Sequence, residues 1–186
     1  MKQPIGILGG TFDPVHNAHL AIAAAALREL GLEQVLWLPT GAPPYRQAPI
    51  ASAADRLAML KLAIAGEPRY AVDERELQPG ASGFTFDSIK ALKDEKPNVK
   101  FLLLMGADQY AKRDTWHRWK ELEKLCDVAV VARPGSKLDA KVKPISMTPM
   151  SVSASDIRAR LARREDVSAL LPAPVLGFIR DQGLYL

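Results

Sequence analysis

Four short apolar runs without polar alternation punctuate the chain: Ile5–Leu8, Val35–Leu38, Phe101–Met105 and Val128–Val131. Such runs fit strands covered on both faces, as in a parallel sheet. Between them the period changes. Leu20, Ala23, Leu27 and Leu30 share one helical face, and Gly31 is a natural stop. Leu57, Leu60 and Ile64 form a second stripe, closed by Gly66 and Pro68. Ser88–Lys96 and Trp116–Leu125 predict a third and a fourth helix. Repeated strand–helix units predict an α/β fold built on a doubly wound parallel sheet. Residues 153–186 predict two further helices, with Pro172 and Pro174 between them and Gly183 ending the second. No repeat, low-complexity linker or composition shift marks a boundary. The reading is one domain over 1–186, with 153–186 as a small helical C-terminal part.

Composition narrows the function classes. Of 186 residues 48% are hydrophobic, enough for a sizeable core. A net charge of +4 suits an anionic ligand but is too small to argue for nucleic acid. The lone Cys126 excludes an intrachain disulfide framework and fits a reducing compartment. Met1-Lys2-Gln3-Pro4 leads straight into a short apolar stretch ending in Gly9-Gly10, which is no signal peptide. No apolar run is long enough to cross a bilayer. The expectation is a cytoplasmic protein with no membrane or nucleic-acid partner; a homo-oligomer stays open.

Candidate chemistry gathers at two places. Gly9 and Gly10 follow the first strand, and Thr11-Phe12-Asp13-Pro14-Val15-His16-Asn17-Ala18-His19 leads into the first helix. Paired glycines allow a tight turn and a close backbone approach to a ligand. A helix N-terminus offers unpaired N–H groups and a positive dipole end to phosphate. His16 and His19, three apart, share a face there and make an oxyanion clamp of the kind phosphoryl transfer needs. Two plainer readings compete: surface histidines at a helix cap, and a zinc site, for which only His117 and Cys126 remain as soft ligands. The second place is Ser153-Ala154-Ser155-Asp156-Ile157-Arg158. It suits a plain N-cap, or a second phosphate-binding helix start with two hydroxyls and a guanidinium fork. The proline loop Pro39–Arg46 and Arg133–Lys137 each follow a strand, on the side where ligands bind in such sheets.

Gly10–His19 resembles the G-x-F-x-P-x-H-x-x-H signature of the nucleotidyltransferase superfamily, with Ala18 where the family usually has Gly. Val152–Arg158 resembles its I-S-[ST]-x-x-x-R element. Further segments resemble the bacterial nicotinate mononucleotide adenylyltransferases: Ser82–Asp87, Met105–Asp108, Thr115–Trp119, Arg133–Gly135 and the ending Gln182–Tyr185. The resemblance covers essentially the whole chain. It implies a Rossmann-like nucleotidyltransferase fold that joins nicotinate mononucleotide to the AMP part of ATP by direct displacement, releasing pyrophosphate, with Mg2+ accompanying ATP.

It also implies the site. His16, His19 and Arg158 would act in catalysis. Gly9, Gly10, Thr11, Phe12, Gly106, Asp108, Ser153 and Ser155 would join them in binding ATP. Thr40, Tyr45, Arg46, Thr85, Trp116 and Arg133 would bind the mononucleotide. By the resemblance the backbone around Thr85 meets the nicotinate carboxylate and Trp116 stacks on the pyridine ring, while Trp119 reads as a packing residue. Tyr45 stands where the family usually has His and cannot carry its charge, though its hydroxyl can donate. The run Asp73–Glu76 reads as a solvated strand end. Pantetheine-phosphate adenylyltransferase is the rival within the superfamily, disfavoured by the Thr85 and Trp116 elements. A noncatalytic nucleotide sensor is the rival outside it, disfavoured by both histidines and Arg158.

Overall fold

The computed structural model describes residues 3–41, 48–132 and 138–186, so Tyr45, Arg46 and Arg133 lie outside the described residues. Six strands, β1 (Ile5–Gly10), β2 (Gln34–Pro39), β3 (Tyr70–Val72), β4 (Phe101–Gly106), β5 (Asp127–Val131) and β6 (Lys143–Ile145), form one sheet. Its order is β3-β2-β1-β4-β5-β6, and every pairing is parallel. The doubly wound α/β expectation holds. The strand order reverses beside β1, which opens a crevice at the carboxyl ends of β1 and β4, the place where sheets of this type bind ligands.

The apolar runs lack alternation because both faces are covered. Ile5, Ile7, Leu36, Leu38, Phe101, Leu103, Met105, Val128 and Val130 belong to one core cluster. Leu8, Val35, Trp37, Leu102, Leu104 and Ala129, between them along the strands, belong to the other. Each face receives every second residue, as the pleat demands. Two strands of the sheet, β3 and β6, were not expected from the sequence pattern. The three-residue β3 and β6 are too short to show a period, and β6 contains Pro144. Proline is tolerated there because β6 is an edge strand, paired only with β5.

The helices are α1 (Asn17–Leu30), α2 (Ala53–Ile64), α3 (Thr85–Glu95), α4 (Ala107–Ala111), α5 (Trp119–Leu125), α6 (Ala154–Ala162) and α7 (Ala173–Asp181). Gly31 ends α1 in the left-handed conformation, as its position predicted. The α2 stripe is turned from the expected one: Arg56, Met59, Leu60 and Ile64 are buried, whereas Leu57 is half-buried. α3 starts three residues before the expected Ser88, and α5 starts at Trp119, leaving Trp116 in the turn before it. The Asp73–Glu76 run is not a solvated strand end. Arg75 bridges Asp73 and Glu95 at 2.9 and 3.1 Å, and Glu76 is buried.

The C-terminal helices cover the same face as α1 and α2. Ile157, Leu161, Val175, Leu176 and Ile179 enter their core cluster. Pro172 caps α7 and Pro174 lies in its first turn, where a missing N–H costs nothing. No helix among the described residues is long and apolar enough to cross a membrane.

Candidate active site

Past β1 the chain does not turn on its glycines, since neither Gly9 nor Gly10 has a left-handed φ. The turn falls at Phe12, with φ 50°, a conformation that is costly for a bulky residue. Burial of its ring, 2% exposed, offsets that cost. Gly10 is needed for space: a Cβ there would stand 2.8 Å from the Phe12 ring. The Asp13–Pro14 peptide is cis. The edge of Phe12 meets His19, with ring centroids 5.1 Å apart.

His16 is the N-cap residue of α1. Its main-chain N–H donates to Nδ1 of His19 at 3.2 Å, and the N–H of His19 returns a bond to the carbonyl of His16 at 2.9 Å. The two rings stack at 3.7 Å between centroids. An accepting Nδ1 leaves the neutral His19 ring with its proton on Nε2. Burial lowers His16 from 6.5 to about 4. Burial, and then the neighbouring His16, hold His19 well below the usual imidazole range. Both rings are therefore neutral near pH 7 in the ligand-free protein, and a nearby anion would favour their protonation.

Around this turn lies a polar framework. Arg56, 2% exposed, donates from Nη1 to the carbonyls of Thr11 at 2.6 Å and Thr40 at 2.8 Å. It ties the exit of β1 to the exit of β2. Arg158 on α6 donates from Nη1 to the main-chain oxygen of Asp13 at 2.7 Å. Ser153 is the N-cap of α6, its Oγ accepting from Asp156 N–H at 3.2 Å, with Ser155 Oγ also at 3.2 Å. The structure thus brings the two sequence elements together at one turn, through the Arg158–Asp13 bond across 145 residues.

A cleft of about 780 Å³ opens at the ends of β1 and β4. Gly9, Gly10, Thr40, Thr85, Asp108 and Trp116 line it, so six sequence-predicted residues from five segments face one space. His16, His19, Ser153, Ser155 and Arg158 do not line it; the histidines belong to the adjoining turn, Arg158 bonds to it at Asp13, and Ser153 and Ser155 stand at the start of the helix that carries Arg158. Gly106 caps α4, and Asp108 lies in that helix's first turn rather than at its cap. Thr85 is the first residue of α3, so the N–H groups of Thr85 and Phe86 have no intrahelical acceptor. Trp116 is half-buried and edge-on to the buried Trp119, whose packing role the structure bears out. His117 stacks on Phe84 at 4.2 Å on the cleft wall.

The zinc alternative does not assemble. Among the described residues no three or more His, Cys, Asp or Glu side chains are grouped to hold a metal ion. Cys126 is buried, its thiol pushed up to about 12 by burial.

Several residues of the framework escaped the sequence reading. Arg56, beside the Leu57–Ile64 stripe that the sequence pattern marked, is itself on the buried face of α2. Glu76 is buried beneath Thr40, accepts from Ser88 Oγ at 2.7 Å, and is raised above the usual carboxyl range by burial. Asp13 and Tyr185 stood inside recognised motifs, but their spacing gave no hint that they touch.

A cytidylyltransferase-like family model matches residues 7–160. The chain is 44% identical to the probable nicotinate-nucleotide adenylyltransferase of Bordetella petrii, over 100% of each chain. It is 38% identical to the one from Neisseria meningitidis, over 100% of this chain and 99% of that one. Among solved structures, the Plasmodium falciparum nicotinic acid mononucleotide adenylyltransferase complexed with NaAD superposes with a TM-score of 0.85. That match covers 98% of this chain and 97% of the other at 19% identity, a likeness of fold.

Proposed function

The chain belongs to the nicotinate-nucleotide adenylyltransferase family, and on that premise we propose that it joins nicotinate mononucleotide to the adenylyl group of ATP. The 5′-phosphate oxygen of the mononucleotide attacks the α-phosphorus. A new O–P bond forms as the bond to the bridging α–β oxygen breaks, and pyrophosphate leaves with that oxygen. No protein nucleophile takes part. Nicotinate adenine dinucleotide is the other product.

The observation that carries this reading is the cleft in which Trp116 and the first turn of α3 face the end of β1. The pyridine ring stacks on Trp116, and the N–H groups of Thr85 and Phe86 meet the nicotinate carboxylate. Thr40 lies alongside, and Tyr45, Arg46 and Arg133, outside the described residues, complete the mononucleotide side. The adenylate lies along Gly9, Gly10, Gly106 and Asp108. The triphosphate faces the Thr11–His19 turn, where the Nε2–H of His19, His16 and Arg158 stabilise the charge that develops in the transition state. Ser153 and Ser155 offer hydroxyls at the start of α6. Catalysis here is alignment and charge neutralisation. Magnesium accompanying ATP would supply further neutralisation of phosphate charge. The buried Asp13 carboxylate already accepts three hydrogen bonds and is not placed to ligate it.

The test is an acceptor comparison. Pyrophosphate release is measured with ATP and magnesium plus nicotinate mononucleotide, nicotinamide mononucleotide or phosphopantetheine. Nicotinate mononucleotide should be used best, by about tenfold or more over the amide, because the amide presents an NH₂ donor to backbone donors. Equal use of acid and amide would refute the acid assignment. Preference for phosphopantetheine would overturn the acceptor altogether.

A further inference from the structure

The penultimate residue of the chain reaches back to the turn that follows the first strand. After α7, Gly183 and Tyr185 both take left-handed φ values, 61° and 64°, and the N–H of Leu184 closes on Ile179 O at 3.0 Å. This turn delivers the Tyr185 hydroxyl to Oδ1 of Asp13 at 2.6 Å. Asp13 is 4% exposed. Its carboxylate takes two more donors, the N–H of Ile50 on Oδ2 at 2.8 Å and the N–H of Ala51 on Oδ1 at 3.1 Å.

Arg158 stands beside this carboxylate without bonding to it. Its Nη1 is 3.9 Å from Asp13 Oδ2, yet only 2.7 Å from the Asp13 main-chain oxygen. A direct charge-assisted bond would need the carboxylate to move by only about 1 Å. Paired that way, the guanidinium would give an internal carboxylate the donors that an external phosphate needs. Three donors hold the carboxylate back, and two of them are fixed by the main chain. The third is a side chain contributed by the far end of the sequence.

We propose that Tyr185 is a positioning residue of the adenylyl-transfer site: its hydroxyl keeps the Asp13 carboxylate from pairing with Arg158, so that Arg158 meets the ATP triphosphate. The inference rests on the adenylyltransferase reading above. Burial and the Asp13 carboxylate raise the phenol above its usual range, so it remains a donor at every working pH.

The experiment compares the full-length protein with Tyr185→Phe and with a chain ending at Leu184. Calorimetry gives the Kd for ATP and for nicotinate mononucleotide, and thermal unfolding gives the Tm. Tyr185→Phe keeps the ring and loses one hydrogen bond to a charged group, which predicts about a tenfold rise in the ATP Kd. The mononucleotide Kd should stay within about twofold, and the shortened chain should behave like Tyr185→Phe. An unchanged ATP Kd in both variants overturns the proposal. So does an equal loss of both ligands together with a lowered Tm, which would make Tyr185 a structural latch and nothing more. An unmodified protein that binds ATP but no nicotinate mononucleotide would overturn the acceptor reading instead, and the ATP arm with the Tm would still decide the role of Tyr185.

Discussion

The main-chain N–H of His16 donates to Nδ1 of His19, and the two rings stack at 3.7 Å. The bond fixes the neutral tautomer of His19 and couples the orientation of the pair. His16→Ala keeps that main-chain bond and removes the stacked ring, so it should lower turnover far more than it weakens mononucleotide binding. Losing one donor to the transition-state charge costs roughly 3 kcal/mol, about a hundredfold in kcat. Steady-state kinetics on a folded variant checks this, and an unchanged kcat would remove the histidines from the mechanism.

Burial of His16 also sets a pH dependence of stability. Its value is about 4 in the folded protein against 6.5 for a free imidazole. Between those values the unfolded chain binds more protons, so stability is full above pH 6.5 and falls as pH drops toward 4. The loss amounts to roughly 3 kcal/mol from this group. His16→Gln should flatten that slope, measured by urea unfolding of the ligand-free protein at pH 5 and pH 7 (both about 1 M in salt, to screen surface pairs). An equally steep slope in the variant would show that other groups control it.

Trp116 sits half-buried on the cleft wall with Trp119 behind it. Trp116→Ala should raise the KM for nicotinate mononucleotide by about fivefold to tenfold, since stacking is worth roughly 1 kcal/mol beyond area burial. The KM for ATP should hardly move. A fall in ATP affinity with mononucleotide affinity intact would reverse the assignment of the two subsites.

At Thr85 the donors of interest belong to the main chain of the first turn of α3. Thr85→Ala should keep the preference for nicotinate over nicotinamide mononucleotide within about threefold, because the N–H groups remain. The ratio of kcat/KM for the two acceptors is the measurement. Collapse of that ratio would transfer the recognition to the hydroxyl.

Arg56 joins two loops through the carbonyls of Thr11 and Thr40. Arg56→Met removes both bonds but also removes a buried charge, and the two effects partly offset. A net destabilisation of roughly 2 kcal/mol is expected from the two unpartnered carbonyls. Urea unfolding reads it, and a variant as stable as the unmodified protein would show that water replaces the guanidinium.

The fold class was legible along the chain, because four strand cores covered on both faces show as unbroken apolar runs and helices show as their own period. The Gly10–His19 segment and the Ser153–Arg158 helix start also stood out, since both signals are local: a residue type at a fixed offset from its neighbours. The sequence pattern missed β3 and β6, three residues each, because a short edge strand is held by its partner and not by its own pattern. It placed the turn on Gly9–Gly10, whereas the structure puts it at Phe12, because a buried ring can hold a backbone conformation that propensity disfavours. It read Arg56 and Glu76 as surface positions or passed over them, since a charged residue's burial depends on the partners that surround it. The meeting of Arg158 and Tyr185 with Asp13, across separations of 145 and 172 residues, was set by packing alone. A hydrogen bond acts over about 3 Å, and residues that far apart in the chain come within its reach only after the sheet has formed and α6 and α7 have packed onto its face.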